Sequence, residues 1–285
     1  MVTHLILTSS RGVRDEQAAA LGAFERLGPK GVRVTIQSEA SQAQHLAEAR
    51  QKMAGERLDI NHGTAGPSRK KLLFADMDST IITVECIDEI ARVAGVGDQV
   101  AAITEKAMRG EIDFQVALRK RVALLKGFAV VKLQEIFDTR IELAPGAETM
   151  VRTMRSWGAK TALISGGFTF FSERVALLAG FHSHRANTLE EKDGLLTGNP
   201  IDPLLGPDAK LAAFNEGVAA KNTTADQALA IGDGANDLPM IKAAGLGVAY
   251  RAKPAVVKAA DACLDFSDLT AVLHLQGVFS RDFIS

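Results

Sequence analysis

Asp76 and Asp78 stand one residue apart at the end of an apolar run, Leu72-Leu73-Phe74-Ala75, and a hydroxyl pair, Ser79-Thr80, follows at once. The run reads as a buried strand. One carboxylate buried at a strand end is costly, and two without a cation are worse. A bound divalent metal removes that cost and leaves one Asp to attack an electrophile. Three further clusters fit the same chemistry. Ser165-Gly166-Gly167-Phe168 follows the apolar run 161–164 and supplies a hydroxyl and unhindered backbone N–H groups for an anion at a helix start. Lys210 opens a helix predicted over 208–218, where it would neutralise phosphoryl charge; alone, such a lysine is a surface residue. Gly232-Asp233-Gly234-Ala235-Asn236-Asp237 follows the apolar run 228–231. Its two carboxylates and one amide suit a hard cation held by oxygen, magnesium above all. An Asx turn with helix capping accounts for one of the three polar residues, not for all.

The elements that must position these clusters follow from periodicity. Residues 72–75, 161–164, 228–231, 247–250 and 262–265 read as core strands, and helical patterns over 147–157, 170–179, 208–218 and 237–244 alternate with them. That alternation predicts an α/β fold, a doubly wound, Rossmann-like parallel sheet with helices on both faces. Ligands of such sheets lie beyond the C-terminal ends of the strands, where all four clusters converge. Residues 188–197 predict a hairpin turning at Asp193-Gly194. Between the first core strand and the rest, residues 84–142 are nearly all helical in pattern, as a cap inserted at a strand's end would be.

Residues 1–68 predict a small α+β domain and residues 69–285 the main one. The first unit reads as strand (5–8), Ala-rich helix (15–27), strand (32–36), helix (42–53) and a short strand (58–61). This order is ferredoxin-like or ACT-like, in a short or degenerate form. Residues 63–68 are a linker by composition.

The 285 residues are 47% hydrophobic and 24% charged, a globular composition. A net charge of −1 argues against a nucleic-acid protein, so the basic runs Arg69-Lys70-Lys71 and Arg119-Lys120-Arg121 read first as solvated faces. The two cysteines, Cys86 and Cys263, form no C-x-x-C pair and read as small buried hydrophobes. No charged leader with a long apolar core opens the chain, and no apolar stretch reaches the roughly 18 residues of a membrane span. The expectation is a cytoplasmic protein with no membrane and no nucleic-acid partner; a homodimer is compatible with it.

In order and wording, D-M-D-S-T, S-G-G-F, Lys210 and G-D-G-A-N-D-L-P-M resemble the motifs of the haloacid dehalogenase superfamily, and within it those of the bacterial phosphoserine phosphatases. The likeness covers roughly residues 70–270. It implies magnesium-dependent hydrolysis of O-phospho-L-serine, the last step of L-serine biosynthesis, through an aspartyl-phosphate. By the same resemblance, Asp76 is the nucleophile and Asp78 the general acid and base. The metal is held by the Asp76 carboxylate, the Asp78 backbone carbonyl and Asp233. Ser165, Gly166 and Lys210 hold the phosphoryl oxygens, Asn236 contacts substrate or phosphate, and Asp237 orients Lys210 or metal-bound waters. Glu85 matches the residue that takes the substrate ammonium, Arg121 the one that takes its carboxylate, and Met108 and Phe114 the apolar residues that close over the site. Taken alone, Glu85 or Arg121 is a solvated helix residue.

Departures from the pattern are Ala117, where relatives often carry a small hydroxyl residue, and the brevity of the first unit, which makes feedback control through it doubtful. His62, His182 and His184 match no motif and read as surface or capping residues. Two competing readings remain: transfer of the phosphoryl group to homoserine or another small hydroxyl acceptor, or action on a different small phosphomonoester. A third is a silent sensor of serine or phosphoserine, though a pure binder has no need of Asp78.

Overall fold

The structure, a computed structural model, describes residues 2–284. Its centre is a seven-stranded sheet in the order β11-β10-β9-β5-β6-β7-β8. The strands are β5 (Leu72–Ala75), β6 (Lys160–Phe168), β7 (Ser183–Lys192), β8 (Leu195–Ile201), β9 (Ala228–Gly232), β10 (Leu246–Tyr250) and β11 (Ala262–Leu264). All neighbours pair in parallel except the β7–β8 hairpin. Both faces of the sheet are covered, and the side-chain alternation shows it. Leu73, Leu229 and Ile231 face one core, with the helices Ala147–Ser156 and Thr169–Ala179. Leu72, Phe74, Ala228 and Ala230 face the other, with Phe214, Met240 and Ile241. Continuous apolar strands are what a doubly covered parallel sheet requires.

Strand β6 runs on to Phe168, four residues past its expected end, and the helix expected from residue 170 follows directly at Thr169. Pairing of β6 with β7 breaks between Ile164 and Phe168. Ser165-Gly166-Gly167 therefore bulges from the sheet edge instead of opening a helix.

The cap consists of the helices Cys86–Ala94, Gly97–Met108, Phe114–Ala123 and Val131–Arg140. Its two ends meet: Ile82 bridges Leu143, and the N–H of Thr83 donates to the Glu142 carbonyl at 3.1 Å. The insertion thus leaves and rejoins the core at one point, beside β5.

The N-terminal sheet has the order β2-β3-β1-β4 and comprises β1 (Val2–Thr8), β2 (Ala23–Gly28), β3 (Gly31–Gln37) and β4 (Asp59–His62). With the helices Asp15–Ala19 and Gln42–Lys52 this is the complete βαββαβ order of a ferredoxin-like unit. The helix expected over residues 15–27 ends after five residues, and its second half is strand β2. Gly22 crowds the backbone of Thr35, and the Pro29-Lys30 turn lets Ala23–Gly28 pair back on β3. Long-range pairing outweighed the helical propensity of the alanines.

This sheet packs on the main one at the exposed edge of β11. Asn61 donates to and accepts from the Cys263 backbone at 2.9 Å each, standing in for a neighbouring strand. The Asp59 carboxylate accepts the N–H groups of Asp265, Phe266 and Ser267. Burial pushes its carboxyl above the usual range, and these hydrogen bonds pull against that. Asp59→Ala leaves all three donors unmet and is expected to cost about 2–3 kcal/mol of stability in urea unfolding. Glu39→Ala, at an exposed carboxylate of the same module that makes no hydrogen bond or ion pair among the described residues, should stay within about 0.5 kcal/mol. Equal midpoints for the two variants would mean that Asp59 does not fasten the module.

Among the described residues no helix is long and apolar enough to cross a membrane.

Candidate active site

The wide turn Met77–Ile81 carries the chain off β5. Asp76 caps it: its Oδ1 accepts the N–H of Met77 at 2.8 Å. Ser79 is held left-handed at φ 56°, an uncommon conformation for a residue with a side chain, and its hydroxyl donates to Glu85 at 2.6 Å. The turn therefore sets both carboxylates of the D-x-D pair and the first polar residue of the cap.

The two aspartates sit in different surroundings. Asp76 Oδ1 also accepts from the Lys210 ammonium at 2.6 Å, so Asp76 Oδ2 is left without a protein donor among the described residues. Asp78 Oδ1 accepts the N–H of Cys86 at 2.8 Å, and Oδ2 accepts the Ser165 hydroxyl at 3.1 Å. Burial, with Glu85 and Asp76 nearby, pushes the Asp78 carboxyl up to about 7. A carboxyl poised there can give a proton near neutral pH and take one back. Gly167 makes room for it: a Cβ there would lie 2.6 Å from Asp78 Oδ2.

Lys210, in the first turn of the helix Pro207–Ala220, is 1% exposed. Its ammonium also donates to Asp237 at 2.7 Å. Burial alone would lower its proton affinity, but Asp237 and Asp76 outweigh that and hold it above the usual range. The other Asp237 oxygen accepts the N–H of Gly234 at 3.1 Å, which ties the lysine's clamp to the turn after β9.

Carboxylate oxygens of Asp76, Asp233 and Asp237 lie within 4.8 Å of one another. The oxygens of Asp237 are taken by Lys210 and Gly234, whereas Asp76 Oδ2 and both Asp233 oxygens meet no protein donor among the described residues. Burial, then Asp76 and Glu85, push Asp233 up to about 6. Free carboxylate oxygens crowded by like charge are a donor set that fits a hard divalent cation.

A cavity of about 450 Å³ opens between this edge and the cap. Asp76, Asp78, Glu85, Met108, Phe114, Arg121, Gly166, Asp233 and Asn236 all line it. Ser165 and Lys210 are buried behind its wall, touching Asp78 and Asp76, and Asp237 stands behind Lys210. Every site residue expected from sequence is thus gathered here. Phe114 packs against Gly166 and Gly206, so the cap rests directly on the core loops. Met108 is 64% exposed, at the open side.

Arg121 enters from the cap. Burial lowers its proton affinity, opposed by the carboxylates of Asp88, Glu85 and Asp78. Its Nη1 reaches Thr104 at only 3.5 Å, and its Nε is buried without a partner. A desolvated guanidinium with unused donors is prepared for an anion.

Sequence reasoning missed Thr104, Asp88, Lys253 and the backbone N–H of Cys86. A backbone donor leaves no mark in sequence, and Asp88 and Thr104 sit on cap helices whose tilt no motif reports. Lys253 could have been found, because it lies in the loop after parallel strand β10, at the edge that holds the other clusters. The three histidines stay outside the site: His182 meets Thr161 at 3.0 Å and His184 meets Ser172 at 2.9 Å, while His62 ends β4. Cys86 is buried and Cys263 half-buried.

The chain is similar to known proteins in both sequence and fold. The sequence pattern of the haloacid dehalogenase-like hydrolases matches residues 73–242. A phosphoserine phosphatase of Polaromonas sp. is 47% identical over 210 residues, 72% of this chain and 89% of that protein. A crystal structure of a haloacid dehalogenase family hydrolase from Salmonella enterica serovar Typhi superposes with a TM-score of 0.87 at 28% identity, covering 96% of this chain and 98% of that one. A phospho-aspartyl intermediate analogue of phosphoserine phosphatase gives 0.68 at 38% identity, over 72% of this chain and 98% of that one. With the capped parallel sheet and the motif order already in place, these likenesses establish that the chain belongs to the haloacid dehalogenase-like hydrolases.

Proposed function

We propose that this cavity hydrolyses O-phospho-L-serine to L-serine and phosphate, in a cytoplasmic enzyme closing L-serine biosynthesis. We further read residues 1–68 as a structural N-terminal unit and residues 69–285 as the catalytic one. The observation that carries the substrate is that Glu85 and Arg121 open onto the same cavity as Asp76 and Asp78. One pair suits the ammonium and carboxylate of an amino acid, the other suits phosphoryl transfer.

Magnesium would be held by the carboxylates of Asp76 and Asp233 and the backbone carbonyl of Asp78. When bound, it offsets the repulsion between the anionic nucleophile and the anionic phosphate. The Asp76 carboxylate attacks phosphorus while the bond from phosphorus to the serine oxygen breaks. Asp78 gives its proton to that oxygen, and serine leaves. The phosphoryl group now rests on Asp76. Asp78, ionised by the first step, takes a proton from a water whose oxygen bonds to phosphorus as the bond from phosphorus to Asp76 breaks, so phosphate leaves and the Asp76 carboxylate is restored. Ser165, the Gly166 N–H and Lys210 stabilise the phosphoryl oxygens, and Asn236 contacts the same group. The Ser165 hydroxyl, which donates to Asp78 at 3.1 Å in the free site, also sets the orientation of that carboxyl. Met108 and Phe114 close the cap side of the cavity over the substrate.

A panel of small phosphomonoesters, assayed for phosphate release with and without magnesium, tests the reading. Phosphoserine should be preferred, and a chelator should abolish turnover. Arg121→Ala should lower kcat/KM for phosphoserine by about 2–3 kcal/mol, roughly 30- to 150-fold, as loss of one partner of a desolvated charge pair does. Turnover of an aryl phosphate, which has no carboxylate, should fall far less. Equal losses on the two substrates would remove Arg121 as the carboxylate's partner.

A further inference from the structure

The cavity wall is charged in an uneven way. Asp76, Asp78, Glu85, Asp88 and Asp233 all line it, against two cations, Arg121 and Lys253. Arg121 comes from the cap. Lys253 alone comes from the core side, in the loop after β10, and unlike the buried Lys210 it is exposed to solvent at the mouth. Its backbone is pinned: its N–H donates to the Asp233 carbonyl at 3.0 Å, and its own carbonyl accepts from Val256 at 2.9 Å. Its ammonium, by contrast, makes no ion pair and no hydrogen bond among the described residues. Burial holds the proton affinity of both Glu85 and Asp233 above the usual range, and the Lys253 charge opposes that rise through space.

We propose that Lys253 is an anion-capturing residue, which draws the phosphate group of an incoming phosphomonoester past the acidic wall toward Asp76. A phosphate dianion approaching the carboxylates of Asp76, Glu85, Asp88 and Asp233 is repelled, and a fixed backbone carrying an unpaired ammonium at the mouth reverses the field along one side. Because the charge is solvent-exposed, its influence is on approach and loose binding, and it is screened by salt. Asp76, Asp78 and Lys210 perform the chemistry without it. The inference rests on reading the cavity as a phosphomonoester site.

Lys253→Met, Lys253→Arg and the unaltered enzyme, each with magnesium, decide it. Inorganic phosphate is titrated calorimetrically at low and high ionic strength, and phosphoserine and p-nitrophenyl phosphate turnover is measured alongside. For Lys253→Met, phosphate affinity should weaken roughly three- to tenfold, and KM for both esters should rise by a similar factor. Its kcat should stay within about twofold, its salt dependence should flatten, and Lys253→Arg should restore all of these. Unchanged phosphate affinity in Lys253→Met would overturn the proposal. So would a fall in kcat at constant KM, which would place Lys253 in the chemical step or in the support of Asp233. The phosphate titration needs no turnover, so an enzyme that ignores phosphoserine but binds phosphate through Lys253 refutes the substrate and keeps the capture.

Discussion

Asp76→Asn is expected to lower kcat by on the order of 10⁴- to 10⁶-fold, the range seen when an enzyme loses its covalent nucleophile. The amide keeps the shape of the turn, because the N–H of Met77 can still donate to the side-chain oxygen that replaces Oδ1. Stability should not suffer. Asp76 and Asp237 share the single ammonium of Lys210, and Asp76 also presses on Asp78 and Asp233. Removing one negative charge from that crowd relieves repulsion while Asp237 keeps Lys210 paired. The variant's thermal midpoint, taken with a chelator present, should equal or exceed that of the unaltered protein. A variant that is folded and still turns over would exclude Asp76 as nucleophile. A variant that loses activity because it unfolds would instead give Asp76 a structural duty that its free Oδ2 does not suggest.

Much of this site is legible in the sequence, for a physical reason. A parallel sheet delivers whatever follows each strand to one edge, so apolar runs ending in Asp76, Ser165 and Asp233 had to converge once the sheet was recognised. The inserted cap showed as an unbroken helical pattern between β5 and the rest. Three things did not show. The second half of the 15–27 helix became strand β2, since pairing with β3 is a long-range contact that local propensity does not contain. The bulge at Ser165-Gly166-Gly167 arises where two strands lose register, and one chain segment read alone has no register to lose. The docking of the N-terminal unit uses side chains of β4 against the backbone of residues 263–267, a pairing about 200 residues apart in sequence with no periodicity to announce it.

That docking changes how the first unit is understood. Its sheet is complete, with one face turned to its own helices, where Leu5, Leu7, Val32 and Val34 form a core. Residues from its strands also join the main body: Ile6 and Leu27 belong to the large core of the molecule. The unit therefore braces the β11 edge, far along the sheet from the cap.

Lys210→Met tests the charge balance on which the whole site depends. The methionine fills much the same volume, so packing is largely kept, but Asp76 and Asp237 then face one another in a buried setting with no cation. Removing one partner from a buried ion pair typically costs about 3–5 kcal/mol, and here two carboxylates are stranded by one substitution. The metal-free protein should lose about that much in urea unfolding, and turnover should fall as well, since Lys210 no longer steadies Asp76 or the phosphoryl oxygens. Two explanations of a large loss must be separated: stranded charge and poor fit of the new side chain. The double variant Lys210→Met with Asp237→Asn does so. If charge is the cause, removing the Asp237 carboxylate should recover more than half of the lost stability while activity stays low. A double variant as unstable as the single one would point to packing, and the Lys210 clamp would then be a matter of shape. Recovery of stability without activity would show that the same ammonium has two separable duties, holding the carboxylates together and serving the transferred phosphate.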